Sequence, residues 1–266
     1  MGRHFAWQGA LAALGVYVVF AYGLAPAIWR HYEGQSGLAA LPAVTRTPQG
    51  IPGDALNVGL EGVEDEVICA LRAAGWTPAD PVTLKSSARI VGSVLLNRAY
   101  RNAPISPLLY AGRPQDLAFE KPSGNSPSRR HHVRLWKVLE AGEAGRPVWL
   151  GGATFDASVG LSHFTGQVTH HIAADVDAER DEFSAGLAAA GKVEAAYKVS
   201  GVGPTLMGRN GGGDRYFTDG DILISALARG CQGRAQMAPA APDSLPVAAK
   251  NWLWPWVAAM AGRGSP

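Results

Sequence analysis

From Phe5 to Trp29 the chain carries no charged residue, and the run FAWQGALAALGVYVVFAYGLAPAIW is apolar on every helical face over 25 residues. At a rise of about 1.5 Å per residue, such a helix crosses a hydrocarbon core about 30 Å thick with some tilt. Trp7 and Trp29 mark its ends, with Tyr22 and Tyr32 close by; amphipathic rings favour the headgroup level. The pattern predicts a transmembrane helix within residues 1–33. A cleaved signal peptide competes with it, since Arg3 and His4 make a basic start and Ala25-Pro26-Ala27 loosely fits a cleavage site. Proline inside that site and the bulky Ile28-Trp29 behind it favour an uncleaved anchor.

Beyond the anchor the periodicity changes. Residues 34–55 are rich in Gly, Pro, Ala and Thr and read as a linker. A compact domain is expected over 56–231, followed over 232–266 by a Pro/Ala-rich stretch and a tail with Trp252, Trp254 and Trp256. Two helices are well marked inside the domain. In EDEVICALRAAG, three acids fill the first turn, Val67, Ile68 and Leu71 form a stripe, and Gly75 ends it. In DVDAERDEFSAGLAAAG, Asp175 caps the start, Phe183 and Leu187 are i,i+4 partners, and Gly191 ends it. TLKSSARIVGSVLL predicts a third. Strand patterns appear in PLLYAG, DLAFEK, HHVRLWKV, RPVWLGGATFD and GQVTHHI, and RYFT and DILISAL flank Asp219-Gly220 as a predicted hairpin. Strands in a block flanked by helices argue for an α+β fold, with a largely antiparallel sheet preceded by one transmembrane helix.

Charge modifies this picture only slightly. The net charge of +2 gives no reason to expect a nucleic-acid partner. Arg3, His4 and the terminal amine precede the apolar run, whereas Arg30 and His31 behind it are partly offset by Glu33. That asymmetry places the domain on the extracytoplasmic side, the periplasm in a bacterial cell. Cys69 and Cys231 would pair in an oxidising compartment or remain two core thiols.

The stretches GLEGVEDEV, AAGWTPADP, GRPQDLAFEKP, RRHHVRLW, GRPVWLGGATFD, TGQVTHHI, DVDAERD and GPTLMGRNGGGDRYFTDGDI run in order from Gly59 to Ile222. In them the chain resembles the LssY C-terminal domain family, which is tied by name to type I secretion. The resemblance implies a companion of membrane modules such as DedA-like and PAP2-like segments. It thus implies an accessory or scaffold role in the cell envelope or in secretion, with the bilayer and membrane or secretion-system proteins as partners.

Candidate chemistry centres on two histidine doublets, His131-His132 and His170-His171, each within a strand pattern. Side chains alternate faces along a strand, so His131 and His170 are expected on the apolar side and His132 and His171 on a polar side. Asp156 ends a neighbouring strand, and His132, His171 and Asp156 make a candidate metal set; two imidazoles and a carboxylate suit a divalent ion with an open position. The plainer reading is one buried, hydrogen-bonded ring and one exposed ring per doublet. Arg129, Arg130, Arg134 and Arg113 form a candidate anion site, because guanidinium forks match phosphate and carboxylate; a charged strand edge explains them equally.

Other segments carry less. Gly208 to Asp214 is glycine-rich but lacks a G-K-[ST] ending and reads as a flexible loop. Asp175, Asp177, Glu179 and Asp181 suit a helix start. There is no H-E-x-x-H, C-x-x-C or G-x-S-x-G. Two functional classes follow: an accessory or scaffold domain, or a metal- or anion-dependent hydrolase acting on a phosphorylated or lipid-derived substrate through the His132/His171/Asp156 region.

Overall fold

The computed structural model describes residues 2–24, 43–79, 107–124, 126, 128–164, 166, 168–199 and 207–231, with single positions 245, 249, 252, 253 and 256. The expected third helix, most of the Trp-rich tail and the end of the apolar run from residue 25 onward lie outside them. Helix α1 covers Gly2–Val19, and a π turn continues it over Phe20–Leu24. Its 18 residues reach about 27 Å at the usual rise, and they include Arg3, His4 and Gln8. Among the described residues no helix is long and apolar enough to cross a membrane, so the expected spanning helix is not found there. The large apolar side chains of α1, Trp7, Leu11, Leu14 and Val16 among them, are exposed.

The rest is a mixed α+β structure. Strands β1 (Val44–Arg46), β2 (Pro52–Ala55), β3 (Val58–Glu61) and β4 (Thr77–Pro78) come first, with helix α2 (Glu64–Ala73) between the last two. There follow β5 (Leu109–Tyr110), β6 (Arg113–Pro114), β7 (Leu117–Pro122), β8 (Arg130–Leu139), β9 (Val148–Leu161) and β10 (Val168–Ile172). Helix α3 (Val176–Ala189), β11 (Val193–Val199), β12 (Met207–Arg209), β13 (Arg215–Phe217) and β14 (Ile222–Leu227) complete it. The main sheet has the order β11-β14-β3-β9-β8-β7-β4, with β10 also paired to β9. Its pairs are antiparallel except β14 with β3. A small sheet has the order β2-β1-β5-β6.

Both predicted helices form for the reasons the sequence suggested. Glu66 reaches back to the Val63 amide at 2.9 Å, and Asp175 caps α3 by accepting from the Ala178 amide at 3.0 Å. Their apolar stripes, Val67 and Leu71 on α2 with Phe183 and Leu187 on α3, pack on Leu60, Val133, Leu135, Trp149 and Ala153 of the sheet. The opposite sheet face begins as a second core of Leu56, Leu108, Tyr110, Trp136, Leu150, Ile222 and Ile224. Cys69 of α2 is joined to Cys231 by a disulfide, with Cα atoms 6.2 Å apart.

Two expectations are corrected. Residues 44–55, read as linker, supply β1 and β2, held by Thr45 Oγ1 donating to the Asp54 carbonyl at 2.9 Å. The Asp219-Gly220 hairpin does not form either: β13 pairs with β12, and β14 pairs with β11 and β3. The turn is instead tied to α3, since Asp177 accepts from Thr218 Oγ1 and the Asp219 amide, and Arg180 Nη1 donates to Asp219 at 2.6 Å.

Candidate functional site

Alternation along β8 separates two environments. Val133 and Leu135 enter the helix-side core, whereas Arg130, His132, Arg134 and Trp136 share the other face. Trp136 packs apolar there, but the three polar side chains toward the start of the strand are also buried, beside Glu120 of β7 and Thr154 and Asp156 of β9. A cavity of about 330 Å³ opens over them, lined among others by Asp54, His132, Arg134, Asp156, His170 and Asn210. Its opposite walls come from residues 47–51, Pro107-Leu108 and the loop Asn210–Gly212.

The register explains the convergence on Asp156. Asp156 is paired on one side with Arg130 and on the other with Ile172. Same-face residues two positions along those partners are His132 and His170, the diagonal neighbours of a sheet. His132 Nδ1 lies 3.1 Å and His170 Nδ1 3.5 Å from Asp156 Oδ2, yet neither contact has hydrogen-bond geometry. Asp156 Oδ2, His132 Nε2 and His170 Nε2 are buried without a hydrogen-bond partner among the described residues. Buried polar atoms are rarely left so.

Glycine at position 152 completes the wall. A Cβ there would lie 2.9 Å from the Ala55 carbonyl oxygen, so only a bare backbone lets β2 come so close. Position 152 pairs with Arg134, and the approach brings the Asp54 carboxylate within 2.6 Å of Arg134 Nη1. A second buried pair joins Arg130 Nη1 to Glu120 at 3.1 Å.

Burial dominates the electrostatics. It raises the Asp156 carboxyl well above the usual carboxylate range, outweighing Arg134 and Arg130, and it raises Asp54 even against Arg134. It holds His132 well below an ordinary histidine, with Arg134 adding to the effect, and brings His170 down to about 4, with Arg130 adding to it. Burial thus pushes the carboxyl toward its protonated form and keeps the two flanking imidazoles neutral at neutral pH.

Of the predicted set, the structure brings His132 and Asp156 together but places His171 elsewhere. The β9–β10 register shifts between His171 and Ile172, so that His171 faces Ser158 and Ile172 faces Asp156; the bulge hands the cavity position to His170. His171 Nδ1 lies 2.6 Å from Asp214 Oδ1. His131, on the helix side, contacts Glu179 at 2.9 Å. The four arginines do not gather: Arg130 and Arg134 flank the buried cluster, exposed Arg129 sits over the Phe155 ring at 5.5 Å, and Arg113 pairs with Asp116 at 2.7 Å. Asp54 was hidden in the expected linker and Asn210 in the glycine-rich loop; a lone acid in PGDA and the Asn and Asp flanking GGG were the available signals.

A model of the family described as LssY C-terminus matches residues 38–222. No curated protein and no solved structure matches the chain.

Proposed function

The chain belongs to the LssY C-terminus family, and from that premise we propose that it is a membrane-attached hydrolase acting on a small phosphorylated or lipid-derived substrate in the cavity over Asp156. The observation that carries the reading is the trio Asp156, His132 and His170 at the cavity, each with a buried polar atom that has no hydrogen-bond partner among the described residues. Titratable groups whose environments push their protonation apart are how one site holds an acid and a base at the same pH. Asp156, whose carboxyl burial pushes toward the protonated form, is the general acid. Neutral His170, the less buried of the two rings, is the general base, and His132 positions the carboxyl.

In the proposed step, His170 takes a proton from a water whose oxygen attacks the phosphorus or carbonyl carbon. The bond to the leaving oxygen breaks, and that oxygen receives the Asp156 proton. Arg134 offers a cation at the cavity for the anionic part of the substrate. Membrane attachment is supported by the exposed apolar side chains of α1, which in water would remain uncovered. The extracytoplasmic side is supported by the Cys69–Cys231 disulfide, since such bonds persist in oxidising compartments. The accessory role implied by the family name would then be exercised through turnover of this substrate.

The test is hydrolysis of p-nitrophenyl phosphate, bis(p-nitrophenyl) phosphate and a short-chain phosphatidic acid by the detergent-purified chain. Turnover of at least one is expected, falling about 100-fold or more in Asp156→Asn and His170→Gln while thermal unfolding stays cooperative. No turnover of any probe, or equal rates in both variants, overturns the hydrolytic reading.

A further inference from the structure

Outside the cavity a second constellation has the makings of a metal site. Asp214 follows the glycines of the β12–β13 turn, and that turn is built rather than loose. Asn210 Oδ1 accepts from the Gly212 and Asp214 amides at 3.0 and 2.9 Å, and Arg209 Nη1 donates to the Gly213 carbonyl at 2.7 Å. The Gly212 carbonyl accepts in turn from the His163 amide at 2.8 Å, docking the β9–β10 loop onto the turn. The turn therefore fixes both Asp214 and the backbone of His163.

The carboxylate is oriented from behind. Asp214 Oδ2 accepts from the Ile172 amide at 3.1 Å and from Asn210 Nδ2 at 3.3 Å, which leaves Oδ1 turned toward two imidazoles. His171 Nδ1 lies 2.6 Å from it and His163 Nε2 3.6 Å. The two rings have centroids 5.2 Å apart. His171 lies across Gly160, where any Cβ would collide with its Nε2. One ligand atom from each of the three residues falls within 4.8 Å of the others. Asp214 is largely buried and His163 is 61% exposed, so the site has a fixed floor and an open side toward solvent.

We propose that His163, His171 and Asp214 bind a divalent transition ion of the zinc class, the ion taking the place of the proton between His171 Nδ1 and Asp214 Oδ1. Two imidazole nitrogens and one carboxylate oxygen are borderline donors that favour such ions over calcium or magnesium. Three protein ligands leave a coordination position for water on the exposed side. The backbone amide and Asn210 amide on Oδ2 are the outer partners that hold a ligating carboxylate in place. The site is independent of the hydrolytic reading, since it shares no side chain with the Asp156 trio.

Equilibrium dialysis of the full chain against buffered Zn²⁺ tests it. One ion per chain is expected, with affinity falling by about 100-fold or more in His163→Ala and in Asp214→Asn, beyond the roughly 10–100-fold loss typical of outer-shell changes. His163 is exposed, so the first variant reads the ligand without disturbing the fold. His132→Gln is expected to keep full affinity. The second His/acid group, His131 with Glu179 and Glu182, supplies the rival outcome. Zinc retained in His163→Ala but lost in Glu182→Gln overturns the proposal, as does the absence of stoichiometric zinc from the wild-type chain.

Discussion

The two faces of the main sheet use the same strands to opposite ends. Toward α2 and α3, β8 and β9 present Val133, Leu135, Trp149 and Ala153 to helix stripes, and the face is closed by apolar contact. Toward the cavity, the alternate residues Arg130, His132, Arg134, Thr154 and Asp156 are just as buried but polar. The first face gains stability from water exclusion. The second gives stability up, because burying unpartnered polar atoms and keeping ionisable groups uncharged is costly. This difference is the ground on which chemistry is proposed there.

The largest effect should come from breaking the apolar face. Leu135→Ala, fully buried between the sheet and the helices, should lower unfolding free energy by about 2–5 kcal/mol, read by urea denaturation at neutral pH. A loss under about 1 kcal/mol would mean that the helix side is not the stabilising one.

A smaller and pH-dependent effect should come from the cavity face. His170 is held at about 4 against an ordinary 6.5. Above about 6.5 the ring is neutral folded and unfolded. As pH falls from about 6.5 toward 4, the unfolded chain takes up a proton that the folded ring refuses, so stability is lost, by up to about 3 kcal/mol. In His170→Gln that share of the acid loss should disappear. Denaturation curves of both proteins at about pH 7 and about pH 4 check it; parallel losses in the two would contradict the burial of this ring.

What was legible in the sequence divides along the same line. Local signals, such as the Glu64-Asp65-Glu66 start of α2, the Asp175 cap and the alternation through β7 to β10, lead directly to the observed elements. The α+β class follows from them, while the family is carried by the longer stretches between Gly59 and Ile222. The candidate site was half legible: His132 and Asp156 share a face by simple parity, but the bulge opposite His171 and Ile172 reverses parity on β10 and exchanges His171 for His170. No composition signal announces such a bulge. Asp54 was missed because β1 and β2 are short and lack apolar alternation; they exist through tertiary contacts, with Gly152 admitting the close approach. The Asp219-Gly220 turn misled for a related reason, since the ties to Asp177 and Arg180 and the pairing of β14 with β3 come from distant parts of the chain.

The central claim, that the cavity face is kept for chemistry at the expense of stability, is tested most directly by the stability of Asp156→Asn. Burial keeps the folded carboxyl protonated at pH values where the unfolded one ionises. Its effect is therefore harmless below about pH 4 and destabilising as pH rises above it. A neutral amide should raise unfolding free energy at about pH 7, and the gain should vanish near pH 3. A variant less stable than wild type at about pH 7, as loss of a structural ion-pair partner would produce, would contradict the account.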